Sequence, residues 1–262
     1  CLILQFSGSG NSRMVAQSLA RRLDNAPVLP LLGGNDTSDA LKTATRVCLV
    51  FPVHFMQLPR SLSAHIKALD LREKLVFLIA TSGGEAGDAI GQAADAASAA
   101  GGRIVATLHA PLADNSVVLK TPAPQREAWF AALPGLLDNL ATHMREAVTD
   151  DSPDTAIDAA IGKRRRLWWR LSGDLLRVGM NLAYGMGRKR VAADTCNGCG
   201  ACLRACPVGN LTMVQVDGHP RASFGPACLD CFGCLHGCPQ SAISFGRIRV
   251  SPETRYRAPT PV

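Results

Sequence analysis

Leu2-Ile3-Leu4-Gln5-Phe6 is a short apolar run that passes straight into Ser7-Gly8-Ser9-Gly10-Asn11-Ser12, a loop of small and hydroxyl-bearing residues. Beyond it, Met14, Val15, Leu19 and Leu23 share one face at helical spacing. A strand, a small-residue loop and a helix in that order make an anion cradle. Backbone amides and hydroxyls face the ligand, and the helix N-terminus adds a favourable field. The loop has no lysine of the G-x4-G-K-S/T pattern, which argues against a nucleoside triphosphate. Its glycines, Gly8 and Gly10, do not have the G-x-G-x-x-G spacing of dinucleotide folds. The plain alternative is a tight βα turn with no ligand.

Working outward, apolar strands recur with helical stretches between them. Val47–Phe51, Leu75–Ala80 and Ile104–Leu108 read as strands, with a weaker one at Val28–Leu31. Helices are expected at Arg60–Leu69, Asp88–Ala100 and Arg126–Val148. The alternation predicts a doubly wound α/β domain, a parallel sheet covered on both faces, whose ligand sits beyond the C-terminal strand ends. Three loops fall there: Ser7–Ser12, Pro52–Pro59 (PVHFMQLP) and Thr81–Ala89 (TSGGEAGDA). A phosphate cradle and two further loops at one sheet edge suit a ligand with a phosphate tail and a flat ring, which is FMN.

Near the other end stand two matching runs. Cys196, Cys199, Cys202 and Cys206 precede Pro207, and Cys228, Cys231, Cys234 and Cys238 precede Pro239. Both read C-x2-C-x2-C-x3-C-P, the spacing that ligates two [4Fe–4S] clusters. Two-residue gaps let one tight loop supply three thiolates, and the fourth cysteine, at the start of a helical turn, serves the other cluster. One cluster is therefore assigned to Cys196, Cys199, Cys202 and Cys238, the other to Cys228, Cys231, Cys234 and Cys206. Zinc has no use for the third cysteine two residues on, and disulfides need an oxidising compartment that nothing in the sequence marks. Leu211 and Ile243, in equivalent places after each run, are expected to pack beneath the clusters. His236 reads as an exposed loop histidine, and Cys1 and Cys48 as core residues rather than ligands.

The chain has 262 residues, 47% of them hydrophobic, and a formal charge of +7. That length suits a larger domain (1–150), a connecting segment (151–190) and a small cluster domain with a short tail (191–262). From Gly162 to Arg190 there are nine Lys and Arg against Asp174 alone, so the remainder is close to neutral. The basicity belongs to one segment, and with no recognition motif beside it nucleic acid is not expected. No run reaches the length of a membrane span and no signal-peptide pattern opens the chain, although the start at Cys1 reads as truncated or processed. Thiols and cluster motifs point to a reducing, cytoplasmic setting.

On these motifs the chain resembles the bacterial ferredoxins that carry an N-terminal flavodoxin-like domain. The family's S-G-T-G-N-S is matched by Ser7, Gly8, Ser9, Gly10, Asn11 and Ser12, with one Thr-to-Ser change. Its T-x-G-G-x-x-G is matched by Thr81, Gly83, Gly84 and Gly87, with Ser82 between. The resemblance implies a flavodoxin-like sheet joined to an α+β 2[4Fe–4S] domain. It also implies that the first and third loops hold the FMN phosphate and one edge of the ring. The second loop, with Pro52, Val53, His54, Phe55 and Met56, departs from the family's Tyr and Trp followed by Gly: His54, Met56 and Gln57 stand there. Loss of an aromatic stacker weakens flavin binding by roughly 1 kcal/mol. Phe55 or His54 is left to stack and Met56 to pack on the ring.

In the connecting segment, Leu167, Leu171, Leu175 and Val178 recur at helical spacing among arginines, with Trp168 and Trp169 beside them. Three roles suit it: a strap across the larger domain with its arginines solvated or ion-paired, a docking face for an acidic redox partner, or peripheral membrane contact through 162–190. Gly173, Gly179, Gly185 and Gly187 argue against one long, straight helix. Asp114, Asp150 and Asp151 read as loop and cap residues. The expected function is electron transfer between FMN, two [4Fe–4S] clusters and a redox protein partner. Its rivals are FMN-dependent reduction of a small acceptor (a quinone or activated alkene) with His54 as proton donor, and a redox sensor.

Overall fold

The computed structural model describes residues 1–32, 37–114, 116, 118, 121–147 and 163–262, the side chains of 163–165 excepted. Asp150, Asp151 and the first part of the connecting segment lie outside the described residues. Five strands, β1 (Leu2–Gln5), β2 (Val28–Pro30), β3 (Arg46–Pro52), β4 (Leu75–Ser82) and β5 (Arg103–Pro111), form one sheet in the order β2-β1-β3-β4-β5. Every pairing in it is parallel. This is the flavodoxin-like order, with its switch point between β1 and β3.

The strands read as unbroken apolar runs because both faces are covered. Alternation along them divides two cores: Val47, Leu49 and Phe51 face one, while Cys48 and Val50 face the other. Helix α1 (Asn11–Arg22) and α5 (Ala123–Glu146) cover the second core; α3 (Leu62–Lys67) and α4 (Ala89–Ala99) cover the first. A further short helix, α2 (Ser38–Thr43), had no clear periodicity in the sequence.

The connecting segment forms one helix, α6 (Lys163–Tyr184), contrary to the expectation drawn from its glycines. Gly173 is in the helix for close approach: a Cβ there would lie 2.3 Å from the Phe55 carbonyl oxygen. Leu167, Leu171, Leu175 and Val178, which share a face as expected, point to solvent. What binds α6 to the sheet domain is polar.

Beyond it, β6 (Lys189–Val191) pairs antiparallel with β9 (Ile243–Phe245), which also pairs with β10 (Ile248–Arg249). A hairpin of β7 (Leu211–Val216) and β8 (His219–Phe224) links the cysteine runs, and single turns α7 (Ala201–Arg204) and α8 (Gly233–Gly237) close them. A third core joins Cys202, Cys234 and Cys238 to Leu211, Ile243 and Phe245, which places Leu211 and Ile243 against the ligand cysteines.

Candidate cluster and flavin site

The cysteines gather in the crossed sets. Cys196, Cys199, Cys202 and Cys238 line one cavity with Val191, Met213 and Ile243. Cys202 feels the charges of Cys238 and Cys196, whereas Cys231 and Cys234 feel those of Cys228 and Cys206. The two fourth cysteines are equivalent: Asn210 N–H donates to Cys206 Sγ at 3.2 Å, and Ala242 N–H donates to Cys238 Sγ at 3.3 Å. Burial pushes the Cys231 thiol up to about 11 and Cys234 up to about 12, the Gly233 amide opposing this at Cys231. Thiols this poorly solvated ionise when iron replaces the proton, so the donor set fits a cluster. Cys48 is fully buried in the sheet and Cys1 is exposed, so the core expectation holds for Cys48 and fails for Cys1.

Lys189 was missed by sequence reasoning. Its ammonium is buried, paired with Asp230, 5.7 Å from the centre of the Phe232 ring and close to Cys228. A fixed positive charge there favours the more negative, reduced state of a cluster. In the sequence it is one of nine basic residues, with nothing to mark it.

The first loop is held by its own side chains. Ser7 Oγ accepts the Gly10 N–H at 3.0 Å, and Ser12 Oγ lies 2.9 Å from Thr81 Oγ1, both hydroxyls buried. Gly10 has φ 109°, which favours glycine. Asn11 donates to the Ala113 carbonyl at 3.0 Å and accepts from Tyr256 Oη at 2.5 Å. Ser7, Gly8, Ser9 and Gly10 border a cavity of about 710 Å³ that also takes in Phe6, Arg13, Arg204, Arg255, Tyr256 and Arg257, with no acidic residue among the described residues that line it. Two polar atoms buried at its wall have no partner, Gln5 Oε1 and Arg255 Nε. Volume, charge and the Arg255 Nε–H donor fit a phosphate at the first loop, whereas Gln5 Oε1, an acceptor, suits only a donor elsewhere on such a ligand.

The second and third loops are arranged differently from expectation. His54 and Gln57 exchange backbone hydrogen bonds at 2.9 and 3.0 Å around Phe55 and Met56, both at positive φ. Non-glycine residues in that conformation cost about 1–2 kcal/mol each. The turn is held from three sides: Asp88 N–H donates to the Met56 carbonyl at 2.9 Å, Gln57 Nε2 donates to the Arg170 carbonyl at 2.9 Å, and Phe55 abuts Gly173. A Cβ on Gly87 would fall 2.2 Å from Met56 O, and one on Gly83 2.4 Å from Asp114 Cβ, while Gly84 faces open space. A ring between Met56 and Gly87 would have to part a contact already made, and neither loop borders the large cavity. Pro52 ends β3, Val53 N–H donates to the Thr81 carbonyl at 3.0 Å, and Ser82 Oγ lies 2.7 Å from His109 Nε2. His54 meets Phe6 edge to face at 6.4 Å beside Cys228, Leu229 and Asp230. Burial pushes its imidazole down to about 4, which leaves it neutral at pH 7.

His236 is buried rather than exposed, and its Nδ1 accepts the Tyr256 N–H at 3.1 Å. The segment after Val250 returns across α1, with Arg255 on Pro239 and Ser241, and Arg21 and Arg22 on the carbonyls of Pro261 and Val262. Sequence reading offered only a short tail there, since single polar contacts leave no periodic signal.

A family model described as a 4Fe-4S dicluster domain matches residues 188–239. No curated protein matches the chain. Oxidised flavodoxin 2 from Bacillus cereus is 21% identical, over 55% of this chain and 97% of that one, with a TM-score of 0.43. A Fusobacterium nucleatum flavodoxin mutant bound to flavin mononucleotide is 13% identical, over 55% and 94%, at 0.39. The strand order, rather than these likenesses, establishes the flavodoxin-like fold. The chain thus joins a flavodoxin-like domain to a 4Fe–4S dicluster domain.

Proposed function

We propose that this chain is an electron-transfer flavo-iron–sulfur protein, holding FMN by the Ser7–Ser12 loop and two [4Fe–4S] clusters by the crossed cysteine sets. The observation that carries the reading is the meeting of Gly8 with the second cysteine loop. A Cβ on Gly8 would lie 2.3 Å from the Cys231 carbonyl oxygen, and one on Gly233 would lie 2.7 Å from Gly8 O. The phosphate loop and a cluster ligand are therefore in van der Waals contact. When bound, FMN converts between two-electron and one-electron transfer, and the clusters pass single electrons onward. Ser7 and the loop amides would orient the phosphate, Arg13, Arg204 and Arg257 would offset its charge, and the third core buries Cys202, Cys234 and Cys238 while Cys199 and Cys228 stay exposed.

Small-molecule reduction is the less favoured reading. His54, its one named proton donor, is neutral at pH 7, lies outside the large cavity and faces the cysteine loop. Anaerobic reconstitution followed by flavin, iron and sulfide counts and EPR of the reduced protein tests the proposal. About eight irons and one FMN per chain are expected. Eight irons with no flavin retained or addable would remove the FMN part and leave the clusters.

A further inference from the structure

Helix α6 is turned inside out. Its inward face is charged: Arg166 reaches Asp88 at 2.7 Å and Asp95 at 2.6 Å, and Arg170 pairs with the same two carboxylates. Gly91 of α4 leaves room for the Arg166 guanidinium, where a Cβ would come within 2.7 Å of Nε. The opposite face is apolar and bare. Leu167, Trp168, Leu171, Leu175, Val178 and Leu182 lie along one side, with Leu175 74% and Leu182 81% exposed. Between Leu167 and Leu182 this stripe is about 22 Å long at the α-helical rise. An uncovered apolar face of that size marks a surface that meets something.

We infer that α6 docks this face into the interface of an anionic lipid bilayer, lying flat on the membrane. Charge complementarity selects the occupant. The stripe has basic residues at both ends: the sequence Lys163-Arg164-Arg165 before it, and Arg188, Arg190 and Arg247 after it. Those last three are exposed and border one surface hollow with Leu182 and Tyr184, in which no acidic residue stands among the described residues. Asp174, the one acid in the helix, is 3.6 Å from Arg177. Leucines flanked by Trp168 and arginines, with no hydrogen-bonding side chain along the centre of the stripe, suit a fluid apolar surface. A protein groove is anchored by aromatic and polar contacts at fixed places. No helix among the described residues is long and apolar enough to cross a membrane, so the contact is one of lying on, not spanning. The ion pairs to Asp88 and Asp95 hold the helix rigidly, so docking would orient the whole molecule.

The test is co-sedimentation of the full reconstituted chain with phosphatidylcholine vesicles, with and without phosphatidylglycerol, at low and high salt. The wild type is expected to pellet with the anionic vesicles, and more weakly in high salt or with phosphatidylcholine alone. Leu171→Glu with Leu175→Glu should reduce binding at least about tenfold, with the cluster absorbance retained because both side chains project into solvent. Absence of binding to either vesicle, equal binding to both, or unchanged binding by the double variant overturns the proposal. So does a wild-type dimer in light scattering that the double variant disperses without vesicle binding, since the face would then be a self-interface.

Discussion

At the scale of the residue, glycines record where two parts of the chain come too close for a side chain. Gly8 is not among the positive-φ residues, so it is required by its neighbour Cys231 and not by a left-handed conformation. Gly8→Ala is expected to cost about 1–3 kcal/mol through overpacking against a backbone carbonyl. That is a fall of several degrees in melting temperature by calorimetry. Gly84→Ala, with nothing within 4 Å of the new methyl, is the neutral control. If the two behaved alike, the close meeting of loop and cysteine run would be wrong. The S-G-S-G-N-S loop is legible in the sequence as a βα turn of small residues; its partner Cys231 is not, because 223 positions separate Gly8 from it.

At the scale of the element, α6 has a periodicity that the spacing gives and an orientation that the spacing leaves open. Helical spacing of Leu167, Leu171, Leu175 and Val178 gives one shared face without saying which way it points, although burying leucine is the usual gain. Here two carboxylates on α4 decide instead. Asp88 is fully buried between Arg166 and Arg170. Removing one partner of such a group leaves the others desolvated and unpaired, at a cost of about 3–5 kcal/mol for a fully buried pair. Because Arg170 remains partly exposed, Asp88→Ala is expected to cost somewhat less, roughly 2–4 kcal/mol. Limited proteolysis should then cut within 163–184 far faster than in the wild type. Unchanged cleavage would show that packing at Gly173, not the ion pairs, holds the helix.

At the scale of the whole molecule, the core of the C-terminal domain is built partly from the proposed cluster ligands. Cys202, Cys234 and Cys238 are members of the third core, so stripping iron removes part of the packing along with the ligation. With the clusters in place, alkylation should mark Cys1 alone, Cys48 being buried in the sheet. After anaerobic chelation the eight ligand cysteines should react as well, read by mass spectrometry, with Cys48 still protected while the flavodoxin-like domain stays folded. Protection of the eight after iron loss would mean that the third core stands without its clusters. By itself the sequence determined the local pattern: two matching cysteine runs, a small-residue loop after β1, and a doubly wound parallel sheet. These are written in spacing and periodicity over a few residues, set by rigid backbone geometry. Only the tertiary structure decided that Cys231 presses on Gly8, that the second and third loops close on each other, that His236 is buried beneath Tyr256, and that α6 faces its leucines outward. Each of those depends on contacts between residues far apart in the chain, where steric fit and the pairing of a few charges outweigh any local preference.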